Sequence, residues 1–239
     1  GGGAGTEGRH VSDSLHADTR LVEGVPDDPR WPALVARFNL RPAQYADASW
    51  LPDWVAAPDA LPERLERELS AWLLAEHGLD GNNAWALGSE AARLFMLDAP
   101  ARLMLAQALG VARHRSALRQ VVLQPQVEAL RLALGDTLDA LWSPLAEAVE
   151  ASPHRFVLPW SAFDGRVLRE QLQLDGLRVL LSLFDPADAS HRGAAQRAAF
   201  CLPRRLVGTA WPSLSAARAR PLLQTIVTHA IPAWAPAWT

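Results

Sequence analysis

Lysine is absent from this chain: its 23 basic residues are all arginines, set against 26 acidic ones for a net charge of −3. That balance argues against nucleic acid as a partner, because phosphate backbones are gathered by basic domains. Arginine without lysine reads either as GC-rich coding, the favoured explanation, or as a preference for planar forks suited to carboxylates. One cysteine, Cys201 in the run AAFCL, excludes an internal disulfide and reads as a small core residue in a reducing compartment. No apolar run approaches the ~20 residues that span a bilayer, and no charged segment precedes a hydrophobic signal core. These absences together indicate a cytoplasmic chain without its own membrane anchor.

Catalytic and cofactor motifs are missing as well. There is no G-x-S-x-G elbow, P-loop or H-E-x-x-H. Gly3-Ala4-Gly5-Thr6-Glu7-Gly8 matches G-x-G-x-x-G in letters alone, since no strand aims the turn and no helix follows it. The histidines at 10, 16, 77, 114, 154, 191 and 229 never fall four apart, and no cysteine pair accompanies them. They read as scattered surface or cap residues, so no enzyme activity, cofactor or metal is expected.

What is present is a globular composition, 49% hydrophobic and 21% charged over 239 residues. A chain of this size buries roughly 70% of its unfolded surface. Residues 1–14 are Gly-rich and polar and read as a flexible tail, leaving 15–239 as one helical domain. Between residues 26 and 62 prolines recur among Trp31, Phe38, Tyr45, Trp50 and Trp54. Such spacing predicts short helices and turns that wrap a helical core spanning 60–230.

Periodicity predicts the rest. A helix over 60–77 has Asp59 as its cap, Pro62 in its first turn, Gly78 beyond its end and a stripe of Leu65, Leu69, Trp72 and Leu73. Glu63 and Arg67 form an i,i+4 pair on what reads as a solvated face. A helix over 89–97 follows, and Asp98 with Pro100 restarts the chain. The central block reads as three short helices, 100–112, 113–123 and 126–134, the last opened by Pro125 and closed by Gly135. Asp136 and Ser143-Pro144 look like further starts, and Ser161 caps a stripe of Phe163, Val167, Leu168 and Leu172 that Asp175-Gly176 breaks. The apolar run LRVLLSLF fits a strand or a buried helix, and its neighbours favour helix. Helices over 194–202 and 215–230 precede the proline-broken tail IPAWAPAWT. The predicted class is all-α, a compact multi-helix fold with a Pro/Trp-rich N-terminal segment.

Arg113, Arg115 and Arg119 around His114 form the densest basic cluster. It reads either as a solvated helix face covering apolar surface or as a docking patch for an acidic or phosphate-bearing partner. Trp72, Trp85 and Trp142 read as core. Trp234 and Trp238, held extended by Pro232 and Pro236, dock on this protein or on another.

The block RLMLAQALGVARHRSALRQVVLQPQVEALRLALGDTLDALW resembles the signature region of the SctK-type (YscK/PscK-like) family, the sorting-platform accessory proteins of type III secretion systems. AQRAAFCLPRRLVGTAW and ARPLLQTIVTHAIPAWAP are similar to the end of that family, so the resemblance spans residues 87–235. It implies a helical, non-enzymatic cytoplasmic adaptor beneath the inner-membrane ring. The implied partners are the forkhead-associated-like cytoplasmic domain of the ring protein and the pod protein that carries the stator and ATPase. No direct membrane insertion and no catalytic positions are implied. On that reading Arg113, Arg115 and Arg119 serve one surface, and either the Trp234, Trp238 tail or Arg204 with Arg205 serves the other. The alternative is a helical regulatory or nucleic-acid-binding module, since ALRQVVLQPQVEALRLAL has two short helices about a turn.

Overall fold

Several glycines and prolines bound helices in this molecule, while two others, Gly110 and Gly176, lie inside helices and bring them together, although Gly176 was expected to break one. The computed structural model describes residues 28–55, 60–81, 90–118, 120–121, 123–135, 164–185, 188–208 and 216–237. Among them are eight α-helices and four short 3-10 turns, with no strand, so the fold is all-α. The helices are α1 (Trp31–Leu40), α2 (Glu63–Glu76), α3 (Glu90–Met96), α4 (Ala99–Leu118), α5 (Gln124–Leu134), α6 (Gly165–Leu181), α7 (Ala189–Ala199) and α8 (Ala216–Ala230).

Local chemistry accounts for many of these ends. Pro32 and Pro125 sit in the first turns of α1 and α5, where a missing amide costs nothing. The Asp98 carboxylate accepts the Ala101 amide at 2.8 Å to start α4, and Asp164 accepts that of Arg166 at 2.8 Å to start α6. Gly135 closes α5 at φ 55°, a conformation that side chains resist. The run LRVLLSLF is helical through Leu181 and then turns.

Two corrections to the expected breaks share one cause, tertiary contact between α4 and α6. The break expected between residues 112 and 113 is absent, and α4 runs through it. Asp175 and Gly176 likewise lie buried inside α6 instead of ending it. A Cβ at Gly110 would lie 2.1 Å from the Leu172 carbonyl oxygen, and one at Gly176 would lie 1.7 Å from that of Ala106. The two glycines therefore let the α4 and α6 backbones touch, and the pairing order makes the helices antiparallel. Trp72, expected in the core, is 43% exposed, and Val167 is exposed as well. At α2 the cap position is Pro62, without a side-chain bond, and the i,i+4 ion pair is Arg64 with Glu68 at 3.0 Å. Glu66, on the face expected to be solvated, is buried. Residues 232–237, expected to be extended, form a 3-10 turn. Asp59, Trp85, Asp136, Trp142, Ser143-Pro144, Ser161 and the tail 1–14 lie outside the described residues.

Buried side chains fall into two adjoining clusters. The larger draws on α1, α3, α4, α5, α6, α7 and α8, so α1 contributes Trp31 and Phe38 to the core itself instead of wrapping it. The smaller gathers Ala43, Trp50, Leu51, Leu69, Leu73, Leu74, Leu79 and Phe200 around α2. Tyr45 and Val207 pack against both.

Candidate partner-binding surface

The arginine cluster of the central block proves to be largely internal. His114 and Asp175 are buried, with His114 Nε2 2.8 Å from Asp175 Oδ2, which also accepts a hydrogen bond from Gln171 Nε2 at 3.2 Å. Arg115 is only 7% exposed and Arg113 is half-buried. Burial pushes the Arg113 guanidinium below its usual pKa, and the Asp175 charge offsets part of that shift. The Arg178 guanidinium is lowered by burial too, again with Asp175 opposing. The physical reason is α4's continuity: a helix that runs on past residue 112 carries His114 into its contact with α6 and keeps Arg115 buried. Within what looked like a solvated face or a docking patch, His114 makes a buried polar tie between two helices and Arg115 is buried. His114, read as a surface or cap histidine, belongs to that tie. Arg119 lies outside the described residues.

Trp234 is also covered by its own chain. It is 6% exposed, its ring centroid 5.9 Å from that of Trp31. The Arg30 guanidinium sits 3.7 Å from the Trp234 ring centroid, and Arg30 Nη2 donates to the Ala233 carbonyl at 3.0 Å. This clasp settles the self-docking alternative for Trp234, whereas Trp238 lies outside the described residues.

Arg204 and Arg205 do face solvent. They occupy a 3-10 turn, Arg204–Leu206, set up by Pro203. Three bonds stitch that turn to the segment around Trp50. The Arg204 amide donates to Ser49 Oγ at 2.8 Å, Trp50 Nε1 to the Leu202 carbonyl at 2.7 Å, and the Asp47 amide to the Phe200 carbonyl at 2.7 Å. The Arg204 guanidinium lies 5.5 Å from the Trp50 ring centroid. Neither arginine forms an ion pair among the described residues, and Trp54, 65% exposed, follows on the same segment. The result is a basic corner tied by hydrogen bonds to a segment that also carries an exposed indole, residue types that anchor protein interfaces.

Among the described residues no group of histidine, cysteine and carboxylate side chains could hold a metal ion. No described helix is long and apolar enough to cross a membrane. Cys201 is partly exposed but packs against the larger cluster, and burial raises its thiol pKa, so it rests as a protonated thiol.

The deciding comparison is with protein families. Residues 34–232 match the family described as YOP proteins translocation protein K (YscK). The chain belongs to the YscK family. This is a family of type III secretion proteins, not a known family of enzymes. The match begins well before the region carrying the sequence resemblance and takes in α1 from Leu34 onward and most of the Pro/Trp-rich segment, in keeping with the place of Phe38 in the core. No curated protein and no solved structure matches the chain.

Sequence reasoning missed the exposure of Trp72. A signal was there, because Glu68 and Glu76 stand four residues before and after it and mark the same face as outward.

Proposed function

We propose that this YscK-family chain is a non-enzymatic adaptor at the cytoplasmic face of the type III secretion apparatus. It links the cytoplasmic domain of the inner-membrane ring protein to the pod protein that carries the stator and ATPase. The family match across residues 34–232 carries the reading. The structure supports it physically: an α4–α6 crossing made at backbone contact resists bending, which suits a part that holds two neighbours at a set distance.

One proposed contact is the Arg204–Arg205 corner, whose forks suit carboxylates on either partner. Arg113, Arg119 and Trp238 remain candidates for the second. The test is copurification of the tagged chain from secreting cells, with the ring-protein domain and the pod protein both retained. Reversing Arg204 and Arg205 to glutamate lowers retention of one of them about tenfold, a change of about 1.4 kcal/mol, with helical content intact. Retention of neither partner by the unaltered chain refutes the adaptor.

A further inference from the structure

Trp72 lies on the outer side of α2, among buried neighbours that point the other way. Leu69, Leu73 and Leu74 on the same helix are covered, whereas the Trp72 indole is 43% exposed. One turn before and one turn after it stand Glu68 and Glu76, both exposed. Ala71 and Ala75, also exposed, are too short to cover the ring. Residues four apart on a helix have Cβ atoms about 5–6 Å from each other, so a cation resting on this indole would feel both carboxylates. Glu68 is engaged by Arg64 Nε at 3.0 Å, an exposed pair that an incoming cation can exchange at little cost. Glu76 forms no ion pair among the described residues.

The same recognition already operates inside the molecule, where Arg30 lies on Trp234 and Arg204 faces Trp50. At α2 the indole and its carboxylates are presented to solvent. An exposed tryptophan between two negative charges attracts a cation through ring quadrupole and Coulomb terms together, and repels an acidic segment.

We propose that the outer face of α2, Glu68 with Trp72 and Glu76, is a docking surface for an arginine- or lysine-bearing segment of a protein partner. The partner's cation seats on the indole between the two carboxylates. This face is distinct from the Arg204–Arg205 corner and opposite to it in charge, so the two select different partner chemistries. The proposal stands on its own whether or not the partners are the ring and pod proteins.

The full chain is titrated with a capped peptide of alternating glycine and arginine, and separately with its glycine–glutamate counterpart, while the Trp72 indole N–H resonance is followed by NMR. That resonance is assigned by its loss in Trp72→Phe. The arginine peptide is expected to shift it saturably and the glutamate peptide to leave it in place. Joint Glu68→Gln and Glu76→Gln substitution weakens the arginine peptide about fivefold, and raised salt does the same. Circular dichroism verifies that helical content is unchanged. The proposal falls if the arginine peptide produces no shift, if both peptides shift the resonance equally, or if the glutamine variant binds as tightly. It falls also if the resonance moves with protein concentration alone, because the face then pairs two copies of this chain.

Discussion

Arg37 and Arg102 reach the same piece of backbone from different helices. Arg37 Nη2 donates to the carbonyls of Met96 and Leu97 at 3.3 and 3.0 Å, and Arg102 Nη1 to those of Phe95 and Leu97 at 3.2 and 3.0 Å. These oxygens end α3, where a helix has no amides of its own left to offer and where positive charge is favoured. Arg169 does likewise for α5, donating to Leu132 and Ala133 at 2.6 and 2.7 Å. Arg197, 0% exposed, spans the carbonyls of Asn39, Gly193 and Leu79, and burial lowers its pKa. A planar fork can satisfy several oxygens at once and an ammonium cannot match that geometry. Arg197→Met should therefore cost about 3 kcal/mol in urea denaturation, by leaving buried carbonyls without donors, and Arg197→Lys should recover only part of it. Glu66 tests the opposite charge. Burial raises its pKa, but hydrogen bonds from Arg41, Ser70 and Gln44 outweigh burial and hold the carboxyl below its usual range. A depressed folded-state pKa gives stability that is fully present above the unfolded value and is lost as pH falls through the folded one. Between neutral pH and about pH 3 the parent should lose more stability than Glu66→Gln. At neutral pH that variant should be weaker by about 2 kcal/mol. Arginine abundance was legible in the sequence. Its interior use was not, because an amphipathic pattern assigns charged residues to solvent and carries no record of a carbonyl waiting on another helix.

Helix boundaries were legible where one residue's own backbone decides them, as at the start of α5 with Pro125 and its end with Gly135, and illegible where the partner helix decides. Gly110 and Gly176 show the difference. A glycine inside a helix costs about 1 kcal/mol relative to alanine, which is why Asp175-Gly176 reads as a break. Alanine at either position should be stabilising on propensity alone. Contact reverses the sign, since the added methyl would meet the backbone at 1.7 Å for Gly176 and 2.1 Å for Gly110. Backbone cannot swing aside as a side chain does, so the helices must separate and release the contacts they share. Gly176→Ala and Gly110→Ala should each lower stability by about 2 kcal/mol or more, measured as a drop in Tm followed by circular dichroism. A rise in Tm from either would mean that α4 and α6 cross at ordinary distance. The His114 to Asp175 contact lies on the same two helices, next to Gly176 in sequence. Its spacing of sixty-one residues explains why no local motif announced it.

Both exposed charged surfaces are carried by segments that build the smaller hydrophobic cluster: the outer face of α2 through Leu69, Leu73 and Leu74, and the Arg204–Arg205 corner through its ties to the segment around Trp50. Their position relative to the rest of the molecule therefore depends on what joins the clusters. Tyr45 is central to that joint. Its hydroxyl donates to the Phe38 carbonyl at 2.7 Å, its ring stacks on Phe38 with centroids 5.6 Å apart, and it packs against both clusters. Burial pushes its phenol well above the usual pKa, so the hydroxyl stays a donor throughout the accessible pH range. With this joint intact, loss of one cluster exposes the other, and tryptophan fluorescence and circular dichroism should give coincident unfolding transitions. Tyr45→Ala removes the stack and the hydrogen bond and leaves a cavity between the clusters, at a cost of about 3 kcal/mol. Because the smaller cluster has fewer buried side chains to lose, it should then melt first and the two probes should separate. Under native conditions the same variant should leave binding of the arginine peptide to α2 unchanged, since Trp72, Glu68 and Glu76 sit on one intact helix. Coincident transitions in Tyr45→Ala would show that the clusters are coupled mainly through other contacts, such as Val207.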